Sequence, residues 1–248
     1  MPAVKKTAKP RLDVFLVEQG LASDVKEAQA LILSGQIRVD GHPGKPGMLV
    51  GAATQISRLK PPRFVSRAGE KLAGALDALH ISPRGHLCID VGCSTGGFTD
   101  CLLKYGARGV VAVDVGRGLI DASLRADPRV HVIEGVNFRT LDRAELPAQP
   151  SFLTADVSFI SLSKLFTKMV ELLEPNSDAL VMVKPQFEGT AKEAPGGIVG
   201  NETVRRAILN RVRRDAELAG FVFHGAVDSS VAGRRGNVEA FFHLRKPQ

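Results

Sequence analysis

The 248-residue chain has no tryptophan and a single tyrosine, and its three cysteines, Cys88, Cys93 and Cys101, fall without CxxC spacing. An odd cysteine count in that pattern argues against a disulfide framework and against a structural zinc site. Buried or half-buried thiols in a reducing cytosol are the expectation. The six histidines, His42, His80, His86, His131, His224 and His243, form no ligand-like cluster, so no metal is expected. No run approaches the ~18 apolar residues of a membrane span, and no apolar stretch follows the basic start "MPAVKKTAKPR". A soluble, cytoplasmic protein without a membrane partner is therefore expected. No internal repeat is present, which sets aside solenoid architectures.

What is present is an ordinary globular balance, 44% hydrophobic and 24% charged, long enough for one full domain and a small one. The formal net charge of +7 is unevenly spread. Residues 1–63 hold ten Lys/Arg against five Asp/Glu, a net +5, while the remainder carries 23 against 21, a net +2. A small basic module beside a nearly neutral large one suggests attachment to a polyanion.

Residues 1–10, rich in Lys and Pro, read as a disordered basic tail. A helix over "RLDVFLVEQGL" places Leu12, Phe15 and Leu16 on one face and stops at Gly20; Ser23 can cap a second helix, "DVKEAQALILSG". The strands "QIRVDG", turning at Asp40-Gly41, and "TQISRL" complete a small α+β domain over residues 11–60. The Pro pair in "KPPRF" marks a linker at 61–65. Residues 66–248 then alternate helices with the apolar runs "LCIDV", "GVVAVDV", "RVHVIEG", "SFLTADVS" and "ALVMVKP", and end on two further strand-like runs. That alternation predicts an α/β fold: a doubly wound, seven-stranded, Rossmann-like sheet of the methyltransferase kind, closed by an antiparallel pair.

In such a sheet the ligand sits at the carboxyl ends of the strands, near the point where strand order reverses. Gly92, Cys93, Ser94, Gly96 and Gly97 follow the first large-domain strand. Asp114 ends the second, 22 residues after Gly92, and Asn137 follows the third. An acid at the position of Asp114 accepts hydrogen bonds from ribose hydroxyls, so the ligand carries a nucleoside. The loop lacks the G-x-G-x-x-G fingerprint, and the preceding Asp90 would repel a pyrophosphate but attract an ammonium. S-adenosyl-L-methionine, a nucleoside with an amino-acid tail and no phosphate, fits better than a dinucleotide. The candidate cofactor residues are thus Asp90, Gly92, Cys93, Ser94, Gly96, Gly97, Asp114, Asn137 and Asp156. Asp156 and Lys184 end the fourth and fifth strands, and an acid and a lysine converging on one pocket point to chemistry.

Beyond this reading, the front module resembles the S-four RNA-binding module. The segments "VSRAGEKL", "DVGCSTGGFTD", "VDVG", "ADVSFIS", "VKPQFE" and "GNVEAFF" resemble the TlyA-type haemolysin/ribosomal-RNA methyltransferases, whose catalytic domain is akin to the FtsJ-type 2′-O-methyltransferases. The resemblance spans residues 11–246. It implies a catalytic set of Lys71, Asp156, Lys184 and Glu239, ribosomal RNA or ribosomal subunits as partner, and methyl transfer to a ribose 2′-hydroxyl. Spacing singles out Asp156 and Lys184; Lys71 and Glu239 come from the resemblance alone. The chain departs from the pattern after "VDVG", where an aromatic, a glycine and a glutamine are usual and "RGLI", with Arg117, stands instead.

Lys184 can take the hydroxyl proton if neutral, or stabilise the forming alkoxide if charged. The Gly- and Pro-containing stretch 188–201 reads as a lid or a connector, Arg234 and Arg235 as phosphate contacts, and the arginines of "RRAILNRVRR" as a solvated helix face. The rival readings are a non-enzymatic RNA-binding or ribosome-assembly factor, a membrane-lytic protein as the haemolysin label suggests, and a base methyltransferase. Base methyltransferases often carry an Asn-Pro-Pro-Tyr-like signature where this chain has "ADVSF".

Overall fold

The computed structural model describes residues 9–51, 53–59, 62–231, 233 and 236–248. The tail over 1–8, linker residue 61 and the pair Arg234 and Arg235 lie outside them. The chain divides into two compact units, Met1–Pro62 and Arg63–Gln248.

In the first unit, helices α1 (Leu12–Glu18) and α2 (Val25–Leu33) pack on a three-stranded antiparallel sheet of order β2-β1-β3, with β1 Ile37–Val39, β2 His42–Pro43 and β3 Ile56–Arg58. Leu12, Leu16, Ala28, Ile32, Ile37 and Val39 form its core. Asp40 (φ 49°) and Gly41 (φ 81°) turn the chain between the paired residues Val39 and His42; the short Asp-Gly pair is what a two-residue hairpin with positive φ demands. The cap of α2 falls one residue later than the sequence suggested. The Asp24 carboxylate accepts from the Glu27 N–H (2.7 Å), while the Ser23 hydroxyl donates to the Glu27 carboxylate (2.6 Å). The carboxylate takes the cap because the serine is held by the glutamate.

The second unit is a seven-stranded sheet of order β6-β5-β4-β7-β8-β10-β9. Its strands are β4 Leu87–Val91, β5 Gly109–Asp114, β6 Val130–Glu134, β7 Phe152–Ala155, β8 Asp178–Val183, β9 Val222–Asp228 and β10 Ala240–Arg245. Strands β4 to β8 are mutually parallel where they pair, and β10 runs antiparallel to both β8 and β9. Helices α3 (Arg67–Leu79) and α4 (Gly97–Lys104) contribute to the core on one face, and α6 (Phe166–Leu172) and α8 (Glu202–Leu218) to the core on the other; α5 (Ala122–Arg125) and α7 (Pro185–Glu188) are single turns. Burial on both faces explains why the parallel strands read as unbroken apolar runs. The edge strand β9 alternates exposed and half-buried residues instead.

The chain leaves β4 toward β5 and β6, then returns to place β7 on the other side of β4. Strand order therefore reverses between β4 and β7, and Gly92 and Asp156 stand side by side at their carboxyl ends. The period-two pleat puts Ile89 and Val91 in the α6/α8 core and Cys88 in the α3/α4 core. Asp90, on the side of Cys88, faces α4.

Candidate active site

Gly92 leaves β4 with φ +82°, and a Cβ there would lie 2.8 Å from the Asp156 carbonyl oxygen. Glycine is required twice over, by the backbone conformation and by the close approach of the two strand ends. The loop that follows is held by Asp114: its Oδ2 accepts from the Ser94 N–H (2.8 Å) and its Oδ1 from the Gly116 N–H (2.7 Å). Each carboxylate oxygen keeps acceptor capacity beyond that one bond.

Two cavities open over this rim. The first, of about 290 Å³, has apolar walls that include Val113, Val136, Phe138, Val157, Ile160 and Leu165, with Asp114 and Asn137 as polar points. Asn137 also caps the short 3₁₀ turn Phe138–Thr140 through its side-chain oxygen. The second cavity, of about 860 Å³, is lined by Lys71, Asp156, Lys184 and Glu239 together. Gly92, Ser94, Asp156 and Ser158 line both, so the two spaces meet at the end of β7.

The four charged residues form two ion pairs. Lys71 Nζ, on α3, lies 2.6 Å from Glu239 Oε2, and the glutamate is nearly sealed from solvent at 4% side-chain exposure. Lys184 Nζ lies 2.5 Å from Asp156 Oδ1 but is not aligned on it as a hydrogen bond; its aligned bond goes to Ser158 Oγ at 2.9 Å. The ammonium also stands 5.9 Å from the centre of the Phe187 ring. Carboxylate, hydroxyl oxygen and ring face thus surround the Lys184 side-chain nitrogen.

Of the residues expected at the cofactor, Gly92, Ser94, Asp114, Asn137 and Asp156 line the first or both cavities, and Cys93 and Gly97 line the second. The Cys93 thiol is buried, and burial pushes its pKa well above the ordinary thiol value, which leaves it unreactive. Two residues stand elsewhere. Gly96 lines neither cavity; its φ of +91° and its contact with Leu124 make it the turn into α4. Asp90 is fully buried beneath the loop, accepting from Thr99 Oγ1 (2.7 Å) and Thr154 Oγ1 (3.2 Å). Direct contact with a ligand ammonium is thereby corrected to a place one layer below. Burial, helped by the charge of Asp156, pushes the Asp90 carboxyl up to about 7.

Several residues escaped the sequence reading. Phe159, 90% exposed and with φ +64°, meets Phe187 at the wall of the second cavity, ring centres 5.0 Å apart and planes tilted by 48°. The turn beyond it is tied to α7: the half-buried Glu188 carboxylate accepts from Ser161 Oγ (2.6 Å) and the Leu162 N–H (2.9 Å). The segment 188–201 is docked. Asn237 donates to the Gly197 carbonyl (2.9 Å) and accepts from the Val199 N–H (3.0 Å), and Arg211 donates to Glu193. Arg205 is buried rather than solvated; its guanidinium holds the Val238 carbonyl (3.1 Å) and Asp228, on either side of the segment that delivers Glu239. Phe159, Glu188 and Asn237 lie within the quoted segments "ADVSFIS", "VKPQFE" and "GNVEAFF", and Arg205 lies in α8.

Comparison with known proteins follows the same division. Residues 64–246 match the FtsJ-like methyltransferase family and residues 10–56 match the S4 domain. The 16S/23S rRNA (cytidine-2′-O)-methyltransferase TlyA of Mycobacterium tuberculosis is 41% identical over 239 residues, covering 95% of this chain and 89% of the relative. Hemolysin A of Brachyspira hyodysenteriae is 35% identical, covering 94% and 99%. A solved hemolysin candidate from Streptococcus thermophilus superposes with TM-score 0.76 at 35% identity, over 97% of this chain and 90% of that one. At 19% identity and TM-score 0.50, a Burkholderia thailandensis N-methyltransferase crystallised with S-adenosylhomocysteine shares the fold. Among the described residues no helix is long and apolar enough to cross a membrane, and no group of three or more His, Cys, Asp or Glu is arranged to hold a metal.

Proposed function

The chain belongs to the FtsJ-like methyltransferase family, with an S4 domain ahead of the catalytic one, and from that premise we propose that it transfers a methyl group from S-adenosyl-L-methionine to a ribose 2′-hydroxyl of ribosomal RNA. The observation that carries the reading is the meeting of two unlike cavities at Asp156, with the Lys184 ammonium at the junction. The cofactor fits the first cavity by chemistry. The walls suit an adenine, and Asp114 keeps acceptor capacity for ribose hydroxyls. When bound, the cofactor supplies an electrophilic methyl on a sulfonium.

The remaining steps fall to this chain's own residues. The target hydroxyl enters from the second cavity, where the Asp156 carboxylate, paired with Lys184 through its buried Oδ1, accepts the hydroxyl proton as the new C–O bond forms. Lys184 stays an ammonium and stabilises the negative charge that develops on the 2′-oxygen. Ser158 and Phe187 hold it there, and Glu239 neutralises Lys71 across the cavity. The exposed ring of Phe159 offers a stacking face to an unpaired base, the usual protein partner of single-stranded RNA. The positive excess of the first 63 residues supports recruitment of RNA by the front unit.

The test is methyl transfer to ribosomal subunits from a strain lacking the enzyme. Lys184→Ala is expected to lose about 100-fold or more in rate, with cofactor affinity by equilibrium dialysis unchanged. Wild-type protein that transfers no methyl to either subunit, or a Lys184→Ala variant as active as wild type, refutes the proposal.

A further inference from the structure

The β7–β8 ladder ends at the pair Ala155 and Val181, so Asp156 and Lys184 both lie past the last rung that holds their strands together. Beyond it each strand enters a turn of its own. Asp156 leads through Ser158 and Phe159 to Ser161, which caps the 3₁₀ turn Leu162–Lys164, and Lys184 opens the single turn α7. Outside the cavities, one side chain joins the two turns. The Glu188 carboxylate, at the end of α7, accepts from Ser161 Oγ through Oε2 (2.6 Å) and from the Leu162 N–H through Oε1 (2.9 Å). Leu162 is buried and its N–H opens a turn, where the turn itself supplies no acceptor, so that donor depends on the carboxylate. Arg211, on α8, fixes the same residue by donating to the Glu188 carbonyl oxygen (3.2 Å).

We infer that Glu188 is a positioning residue for methyl transfer: it ties the turn after Asp156 to the turn after Lys184, and so sets how the carboxylate and the ammonium meet the target hydroxyl. The inference rests on the reading that these two residues carry the transfer. Glu188 lines neither cavity, so it acts through the pair and not on the substrate. The junction it supports is close-set, with Lys184 Nζ 2.5 Å from Asp156 Oδ1 and 2.9 Å from Ser158 Oγ, and the joined turns carry all three side chains. Misplacing reacting groups by about 1 Å costs about 100-fold in rate. The Phe159–Phe187 ring contact also spans the two turns, but rings in contact can slide. A carboxylate bound at both oxygens cannot shift without losing one bond.

The experiment uses the full-length protein and ribosomal subunits from a strain lacking the enzyme, read as single-turnover methyl transfer at saturating RNA and cofactor. Glu188→Ala is expected to lower the rate about 10- to 100-fold, with cofactor affinity and the half-saturating RNA concentration within twofold of wild type. Glu188→Gln is expected to restore most of the rate, because its amide oxygen accepts from the Leu162 N–H and its NH₂ donates to Ser161 Oγ. Ser161→Ala removes one of the two bonds; it should slow transfer by less than Glu188→Ala and add nothing on top of it. A purely structural role would lower the folded fraction, and hence the amplitude, but not the rate of the folded protein. A Glu188→Ala rate within twofold of wild type overturns the inference. So does a loss confined to amplitude or to RNA or cofactor affinity, or a Glu188→Gln variant as slow as Glu188→Ala. Where Glu188→Ala does not fold, Ser161→Ala decides: a slowed rate with unchanged affinities supports the inference, and a wild-type rate overturns it. Wild-type protein inert on both subunits would instead refute the methyltransferase reading itself, so the two failures are distinguishable.

Discussion

Replacing Asp90 by Asn isolates the electrostatic cost of the layer beneath the glycine loop. Asp90 is fully buried; burial, then the nearby charge of Asp156, raises its carboxyl from 3.8 to about 7, against the opposing bonds from Thr99 and Thr154. The folded state therefore binds the proton more tightly than the unfolded state. Stability from this group is full below the unfolded value and falls as pH rises from about 4 to about 7, the window between the two values. Integrated between pH 5 and pH 8, the wild type loses about 2.5 kcal/mol that the Asn variant does not. The substitution is nearly isosteric, and both threonine hydroxyls can rotate to serve an amide. Urea unfolding at several pH values reads the difference. Tyr105 is the one tyrosine of a chain without tryptophan and lies in the second unit, so its fluorescence reports that unit alone. The stability difference, Asn variant minus wild type, should grow by about 2.5 kcal/mol from pH 5 to pH 8. A difference that stays flat across that range refutes a carboxyl held near neutral by burial.

Other substitutions address the site and its supports. Gly92→Ala forces a Cβ to 2.8 Å from the Asp156 carbonyl at a φ of +82°; it should cost about 1–3 kcal/mol and abolish cofactor binding, measured by denaturation and calorimetry. Arg205→Met leaves the Val238 carbonyl and Asp228 without their buried partner. It should destabilise the fold by about 1–2 kcal/mol and lower methyl transfer, because the segment that carries Glu239 loses its anchor. Ser158→Ala removes the aligned partner of Lys184 and should slow transfer about 10-fold with cofactor affinity unchanged, read by single-turnover kinetics.

The architecture was legible because parallel strands buried on both faces leave unbroken apolar runs, and helices such as α3 keep a clean period with Leu72, Ala75 and Leu76 inward. Asp114, Asp156 and Lys184 were legible because a doubly wound sheet gathers its strand ends at one rim. The burial of Asp90 was hidden in plain view: the two-residue pleat assigns it to the side of Cys88, and only packing reveals that α4 covers that side. Arg205 shares a helical face with Ile208, Val212 and Ala216, so its burial was readable from period, but the density of arginines in "RRAILNRVRR" masked it. Phe159 had no such signal, since a positive-φ loop residue obeys no period. Lys71 and Glu239 meet across 168 positions of chain, a contact that neither local propensity nor spacing encodes.

The most direct test of a hydroxyl acceptor at the junction of the two cavities is the fate of label from tritiated-methyl cofactor after alkaline hydrolysis of the RNA. A methyl on the 2′-oxygen blocks cleavage at that ribose, so the account predicts label in alkali-resistant dinucleotides with wild-type protein, formed about 100-fold or more slowly with Lys184→Ala. Label recovered in mononucleotides would place the methyl on a base and contradict it.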